Sequence, residues 1–278
     1  MKIDSHQHFW HYTPEAYGWI GPEMAGLKRD FLPPDLAPLL ESLDFDGSVA
    51  VQARQTLEET RWLLELADDH AFIKGVVGWV DLCSPDLATQ LDQFGAHPKL
   101  CGVRHIVQGE PDDRFMLRAD FVRGLKLLAG YGLTYDILIH PRHLPVACDL
   151  VEMFPEQPFV LDHLAKPFVK DGLLSPWESD LRRLAAFPNV LGKLSGMVTE
   201  ADWQTWQPAD FQPYLEVMFD AFGPQRLMIG SDWPVCTLAG AYAPVMQLVL
   251  NTIRQFSPEE QAGILGENAV QFYSLSAG

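Results

Sequence analysis

The sequence is poor in cysteine, in positive charge and in long apolar runs. Its four cysteines, Cys83, Cys101, Cys148 and Cys236, form no C-x-x-C pair. A disulfide framework and a zinc finger are therefore both poor readings, and free thiols in a reducing cytoplasm are expected. Lys and Arg number 20 against 37 Asp and Glu, a formal net charge of -17. That balance argues against nucleic acid and anionic membranes, which need basic patches. It suits a soluble enzyme acting on a small, neutral or locally clamped molecule. No apolar run reaches the roughly 18 residues of a membrane span. The first residues lack a basic stretch leading into an apolar one, so no secretory leader is expected. Low-complexity tracts, charge blocks and Gly/Ser linkers are missing too, which predicts one domain over 1–278.

What is present is a repeat of short apolar, β-branched runs. They are Lys2–Ser5, Gly47–Ala53, Ile73–Val80, Leu100–Ile106, Leu133–Ile139, Pro158–Asp162, Val190–Leu194 and Leu227–Gly230. Neighbours lie roughly thirty residues apart, the length of a strand–helix–strand unit. Helical patterns fill the gaps. Thr56 and Glu59 form a capping-box signature opening Leu57–His70. Ser84-Pro85 and Ser257-Pro258 each pair an N-cap with a proline at the first helical position. Arg118–Tyr131 and Ala241–Gln255 carry helical spacing. Eight buried strands alternating with helices predict an α/β fold, a single (β/α)8 TIM barrel. The runner-up is an open doubly wound sheet, but its dinucleotide form wants a G-x-G-x-x-G turn and none is found.

Such a barrel carries its chemistry at the C-terminal ends of its strands. There the sequence has His6 and His8, Gln52 and Arg54, Trp79 and Asp81, Arg104 and His105, His140, His163, Lys193 and Ser195, and Asp232. His6 and His8 are i and i+2 on one strand, so both rings face one way while Gln7 faces the other. Imidazole and carboxylate ligands suit zinc, and also manganese, iron or cobalt. Three nitrogens and one oxygen with a position left for water make a catalytic layout rather than a structural one. Each residue has a plainer reading. Asp232 could cap the next helix, and Arg54, Arg104 and Lys193 could be ion pairs of the barrel rim. His143 reads as a helix-start or supporting residue, and His11, His70, His97 and His105 as surface or structural.

The ordered set DSHQHFW, GVVGWVDL, GVRH, LDHLAKP, KLSG and GSDWPV resembles the amidohydrolase superfamily. It is most similar to the sugar-lactone hydrolase branch, which includes L-fuconolactone, L-rhamnonolactone and 2-pyrone-4,6-dicarboxylate lactonases. The likeness runs from His6 to the closing GENAVQFY. It implies a barrel with a His pair on strand one, His after strands five and six, and Asp after strand eight. These fall on His6, His8, His140, His163 and Asp232. The ligands expected for one divalent metal, zinc or else manganese, are His6, His8, His140 and Asp232. No carboxylated-lysine position follows strand four, where Arg104 stands, so a binuclear centre is not expected. The implied reaction opens a sugar-derived lactone with water. Asp232 acts as the base and His163 or the metal stabilises the oxyanion. Arg54, Arg104 and Lys193 are candidate substrate-binding groups, with Trp10 and Trp233 flanking the motifs as stacking faces. A metal-free form, with Asp232 and the histidines doing the acid–base work, stays open. So do a metal-dependent decarboxylase and a non-catalytic sugar-binding barrel. The partner expected is a small sugar lactone, and the assembly a monomer or homodimer.

Overall fold

The computed structural model describes residues 1–276; the last two residues of the 1–278 span lie outside it. Eight strands form one parallel sheet in chain order: β1 (Ile3–Gln7), β2 (Gly47–Val51), β3 (Ile73–Gly78), β4 (Leu100–Ile106), β5 (Thr134–Leu138), β6 (Phe159–Leu161), β7 (Val190–Leu194) and β8 (Leu227–Ile229). Each strand sits in one of the eight apolar runs. Half of the sixteen run ends trim by a residue or two, because a parallel strand ends where its ladder does and not where its apolar residues do. The first run extends instead, and β1 continues through His6 and Gln7.

The barrel is drawn together between its first and last strands. Asp232 N donates to His6 O (2.8 Å), and His8 N donates to Trp233 O (2.7 Å). Ser5 Oγ donates to Ile229 O (2.7 Å). Below them Asp4, fully buried, accepts from Ser231 N (2.9 Å) and His6 N (3.2 Å) with one oxygen and from Tyr242 OH (3.2 Å) with the other. Burial pushes the Asp4 carboxyl up to about 6, against these hydrogen bonds. The seam that joins β1 to β8 thus also fixes the backbone on either side of His6, His8 and Asp232.

The main connecting helices are α1 (Pro33–Glu41), α2 (Leu57–Asp69), α3 (Leu87–Phe94), α4 (Ala119–Leu128), α5 (Leu144–Glu152), α6 (Trp177–Ala185), α7 (Pro208–Phe222) and α8 (Tyr242–Thr252). Two helix starts differ from expectation. Thr56 Oγ1 does accept from Glu59 N (3.2 Å), but the Glu59 carboxylate does not return the bond to Thr56. It turns instead to Ala53 N (3.0 Å) and Arg54 N (2.7 Å) and pins the β2–α2 loop. Ser84 does not cap a helix either. Its Oγ accepts from Asp86 N (3.0 Å) in a tight turn, and α3 starts three residues later. Ser257 and Glu260 form the full reciprocal box at the head of the short α9 (Pro258–Ala262).

Inside the barrel the side chains are stratified. At the bottom Ile3, Val49, Val51, Val77, Val160 and Met228 meet Ala269, Tyr273 and Leu275 of the C-terminal segment in a dry plug. Above it lies a layer of buried ions, Asp136, Lys193, Asp162 and Arg104. Lys193 Nζ contacts Asp136 Oδ2 (2.5 Å) and Asp162 Oδ1 (3.0 Å), and Arg104 Nη1 contacts Asp162 Oδ2 (2.9 Å). Tyr273 OH, rising from the plug, donates to Asp136 (2.7 Å). Two cations balance two carboxylates, so the layer is neutral as a whole. No helix among the described residues is long and apolar enough to cross a membrane.

Candidate active site

The top layer opens into a cavity of about 350 Å3 at the C-terminal ends of the strands. Its wall includes His8, Trp19, Arg104, His140, His163, Lys166 and Asp232. At its floor three ligand atoms converge. His6 Nε2 and His8 Nε2 are 3.3 Å apart, His8 Nε2 is 3.3 Å from Asp232 Oδ1, and His6 Nε2 is 3.9 Å from it. Metal bonds of about 2.0–2.1 Å in tetrahedral geometry place neighbouring ligand atoms ~3.3 Å apart. The triangle fits a small divalent ion without rebuilding.

The hydrogens are arranged for the same purpose. His8 Nδ1 is 2.7 Å from Val51 O, which can only accept, so Nδ1 carries a hydrogen and Nε2 is the nitrogen turned to the ligand triangle. His6 Nδ1 lies between Asp162 Oδ1 (3.3 Å), which can only accept, and Lys193 Nζ (3.2 Å), which can only donate, and the two together hold the second ring in place. Burial drives the His6 pKa well below the ordinary value, although Asp162 opposes it, so the ring is neutral. Burial would raise Asp162, yet Lys193, His6 and Arg104 hold it well below the usual carboxylate range. Burial would also raise Asp232, but His163 and His8 keep its carboxylate below that range. The neutral His6 imidazole and the ionised Asp232 carboxylate are in the protonation states a metal ligand needs. Arg104 Nη1 also lies 3.2 Å from His6 Nε2. It competes for the lone pair that a metal would use, and holds the ring in place when none is there.

His163 completes the floor. Its Nε2 is 3.8 Å from Asp232 Oδ1 and its Nδ1 is 2.9 Å from Ser195 Oγ. Burial pushes its pKa down to about 4 against the pull of Asp232 and Asp162. The backbone that delivers it is unusual. His163, Leu164, Ala165 and Lys166 have φ of 53°, 55°, 58° and 55°, a left-handed turn of four non-glycine residues, and Asp232 has φ 57°. Such conformations are costly and persist only where the surroundings dictate them. Gly196 lies against the ring at φ 61°, and a Cβ there would come within 2.4 Å of His163 Nδ1. Gly196→Ala is therefore expected to displace the imidazole. Turnover falls at least about tenfold while stability falls by only about 1–2 kcal/mol. Steady-state kinetics beside a thermal melt check this; unaltered kcat would show that the ring position is not critical.

Not every expected residue reaches the cavity. His140 is on its wall, but its ring nitrogens fall outside the close groups formed by His6, His8 and Asp232 and by His6, Asp162 and His163. Burial, then Lys166, brings its pKa down to about 4. His143 supports it from behind, accepting from His140 N at Nδ1 (3.1 Å). Arg104 lines the cavity, yet its guanidinium is committed to Gln52 and Asp162. Arg54 turns to a separate, smaller cavity beside Tyr17, Glu59 and Trp62, because Glu59 holds its backbone there. Lys193 lies beneath His6, fully buried, and presents nothing to the cavity. Trp10 is fully buried against Phe31, with its Nε1 donating to Arg29 O (2.9 Å). Trp233 packs edge-on to Phe9 and Phe31. Both tryptophans stack on protein, and Trp19, 45% exposed, is the one on the cavity wall. Asp162 and Lys166 were within reach of sequence reasoning, since they flank His163 in the LDHLAKP motif. Trp19 sits in a loop without any pattern and gave no signal.

The amidohydrolase family pattern matches residues 3–275. Two curated relatives are L-fucono-1,5-lactonases. The one from Burkholderia multivorans is 44% identical over 99% of this chain and 96% of its own length. The one from Burkholderia ambifaria is 36% identical with the same coverage. A crystal structure of an amidohydrolase from Burkholderia multivorans, with bound zinc, superposes with a TM-score of 0.96 at 43% identity, covering 99% of this chain and all of that one. With a family pattern matched almost end to end and relatives aligned over nearly their whole length, the chain belongs to the amidohydrolase family.

Proposed function

We propose that this protein opens a sugar-derived 1,5-lactone to its hydroxy acid, with one divalent ion, zinc, held by His6, His8 and Asp232. The observation that carries the reading is the 3.3, 3.3 and 3.9 Å triangle at the floor of a cavity sized for a small molecule. The two Burkholderia lactonases support the substrate class. His140, half-buried and neutral on the wall, is the ring available to join the ligands. A bound ion of this kind polarises a carbonyl and lowers the pKa of water. Asp232 takes a proton as the water oxygen bonds to the lactone carbonyl carbon, and returns it to the ring oxygen as the C–O bond breaks. The Ser195 hydroxyl can donate to His163 Nδ1 (2.9 Å), which would put the hydrogen of that ring on Nε2, where it would stabilise the oxyanion. Arg104 holds His6 and Asp162 rather than substrate, and Trp19 offers the apolar face that a sugar ring needs. Four free cysteines suit a cytoplasmic protein.

The test is elemental analysis of protein purified without chelator, together with acid release from a panel of sugar lactones. The expected result is about one zinc per chain and turnover lost on chelation. The fold should survive, since Arg104 keeps His6 in place. Activity untouched by chelation would turn the triangle into a set of acid–base groups. No turnover of any lactone would sink the hydrolase reading, and release of carbon dioxide would replace it with a decarboxylase.

A further inference from the structure

A neutral lactone enters this cavity and an anion must leave it, so the cations on its wall decide how the product is held. Among the described residues two cationic side chains line the cavity, Arg104 and Lys166. Arg104 is spoken for by hydrogen bonds of 2.9–3.1 Å to Gln52 and Asp162. Lys166 is not held so closely. Its Nζ lies 3.7 Å from Glu200 Oε1, a charge contact beyond hydrogen-bond length. Glu200 is itself largely enclosed, and burial raises its carboxyl although Lys166 opposes this.

The left-handed turn explains why Lys166 is there at all. Its two ends, His163 and Lys166, both face the cavity, while Leu164 and Ala165 between them are fully buried. Lys166 N closes the turn on His163 O (2.7 Å), and Trp177 Nε1 donates to Leu164 O (2.6 Å) from the core side. An ordinary right-handed continuation after β6 would not repeat this placement, because the sense of the turn sets where the fourth side chain points. The strain therefore has a product: an ammonium beside the ring that faces the reacting carbonyl.

We propose that Lys166 binds the carboxylate of the hydroxy-acid product, exchanging Glu200 for it as its counter-ion. The inference rests on the lactonase reading above. A compact ammonium on a flexible stem suits the exchange, since it keeps its charge while changing partner. The two residues then act with opposite sign. Lys166→Met removes the cation and should raise the product inhibition constant of the open-chain acid about tenfold or more. The KM for the neutral lactone should stay within about threefold. Glu200→Gln removes the competitor and should lower that constant several-fold, and Lys166→Arg should restore most of the wild-type value.

The measurement is hydrolysis of L-fucono-1,5-lactone with its open-chain acid added as inhibitor, for the wild type and the three variants. Zinc content and thermal midpoint confirm that each variant is folded and loaded. Calorimetric titration of the acid into each protein reads the same differences without turnover. Unaltered acid affinity in zinc-loaded Lys166→Met overturns the proposal while leaving the lactonase reading intact. If that variant does not fold, unaltered or weakened acid binding in Glu200→Gln overturns it instead. A wild type that opens no lactone overturns both readings together.

Discussion

Asp232→Asn should lower kcat/KM by about 10³-fold, within the range that a positioned general base contributes, and the protein should remain folded. The amide keeps the shape of the carboxylate but can neither take a proton nor neutralise a cation. Asp232 is both a corner of the ligand triangle and the proposed base, so the loss has two possible origins. They separate on zinc titration. If Asp232 served only as a ligand, excess zinc would fill a weakened site still offering His6 and His8, and turnover would return. If it is the base, the loaded variant stays inactive. The wild-type carboxylate, held below the usual range by His163 and His8 against the effect of burial, is ionised throughout the neutral range and ready to accept a proton. Full activity in the zinc-loaded variant would move the base elsewhere, with His163 the next group on the floor.

The barrel and its site were legible in the sequence to different depths. All eight strands could be found because a parallel sheet covered on both faces writes itself as apolar runs, and helices must separate them. His6, His8, His163 and Asp232 could be placed because a strand end is where such a fold puts its chemistry, and the structure brings all four together. Side-chain direction beyond the strand ends was a different matter. Arg54 is one residue past Ala53, which lines the cavity, yet it points to a neighbouring one because the carboxylate of Glu59 captures the backbone there. Trp10 and Trp233 sit beside ligand motifs, but large rings next to a buried seam fill core before they face solvent. Nothing in the residue pattern revealed that four consecutive residues would turn left-handed, because none of them is glycine.

Lys193→Met should destabilise the fold by about 3–5 kcal/mol, the usual consequence of removing one partner from a buried ion pair. Lys193 is fully enclosed and stands between two carboxylates, at 2.5 Å from Asp136 and 3.0 Å from Asp162. Burial alone would lower its pKa, but the two carboxylates raise it above the ordinary value. Its contribution is therefore complete below about 10.5 and fades only as pH rises through the higher folded value. Asp162, held low, contributes above about 3.8, and that contribution is lost as pH falls through its depressed value. In the variant the sign reverses for Asp162, while Asp136, which burial already pushes up to about 6 against Lys193, rises further. Deprived of their cation in a dry interior, Asp136 and Asp162 move upward and take up protons on folding. Their stability is then greatest in acid and is lost as pH rises through the raised values. The gap between variant and wild type should accordingly narrow as pH falls from 7 towards 4, and urea melts across that range would show it. A gap independent of pH would mean that the lysine is replaced by packing alone. The same variant also removes a cation 3.2 Å from His6 Nδ1. That leaves Asp162 as the group facing this nitrogen, so the surviving folded fraction should still bind zinc through His6 and His8.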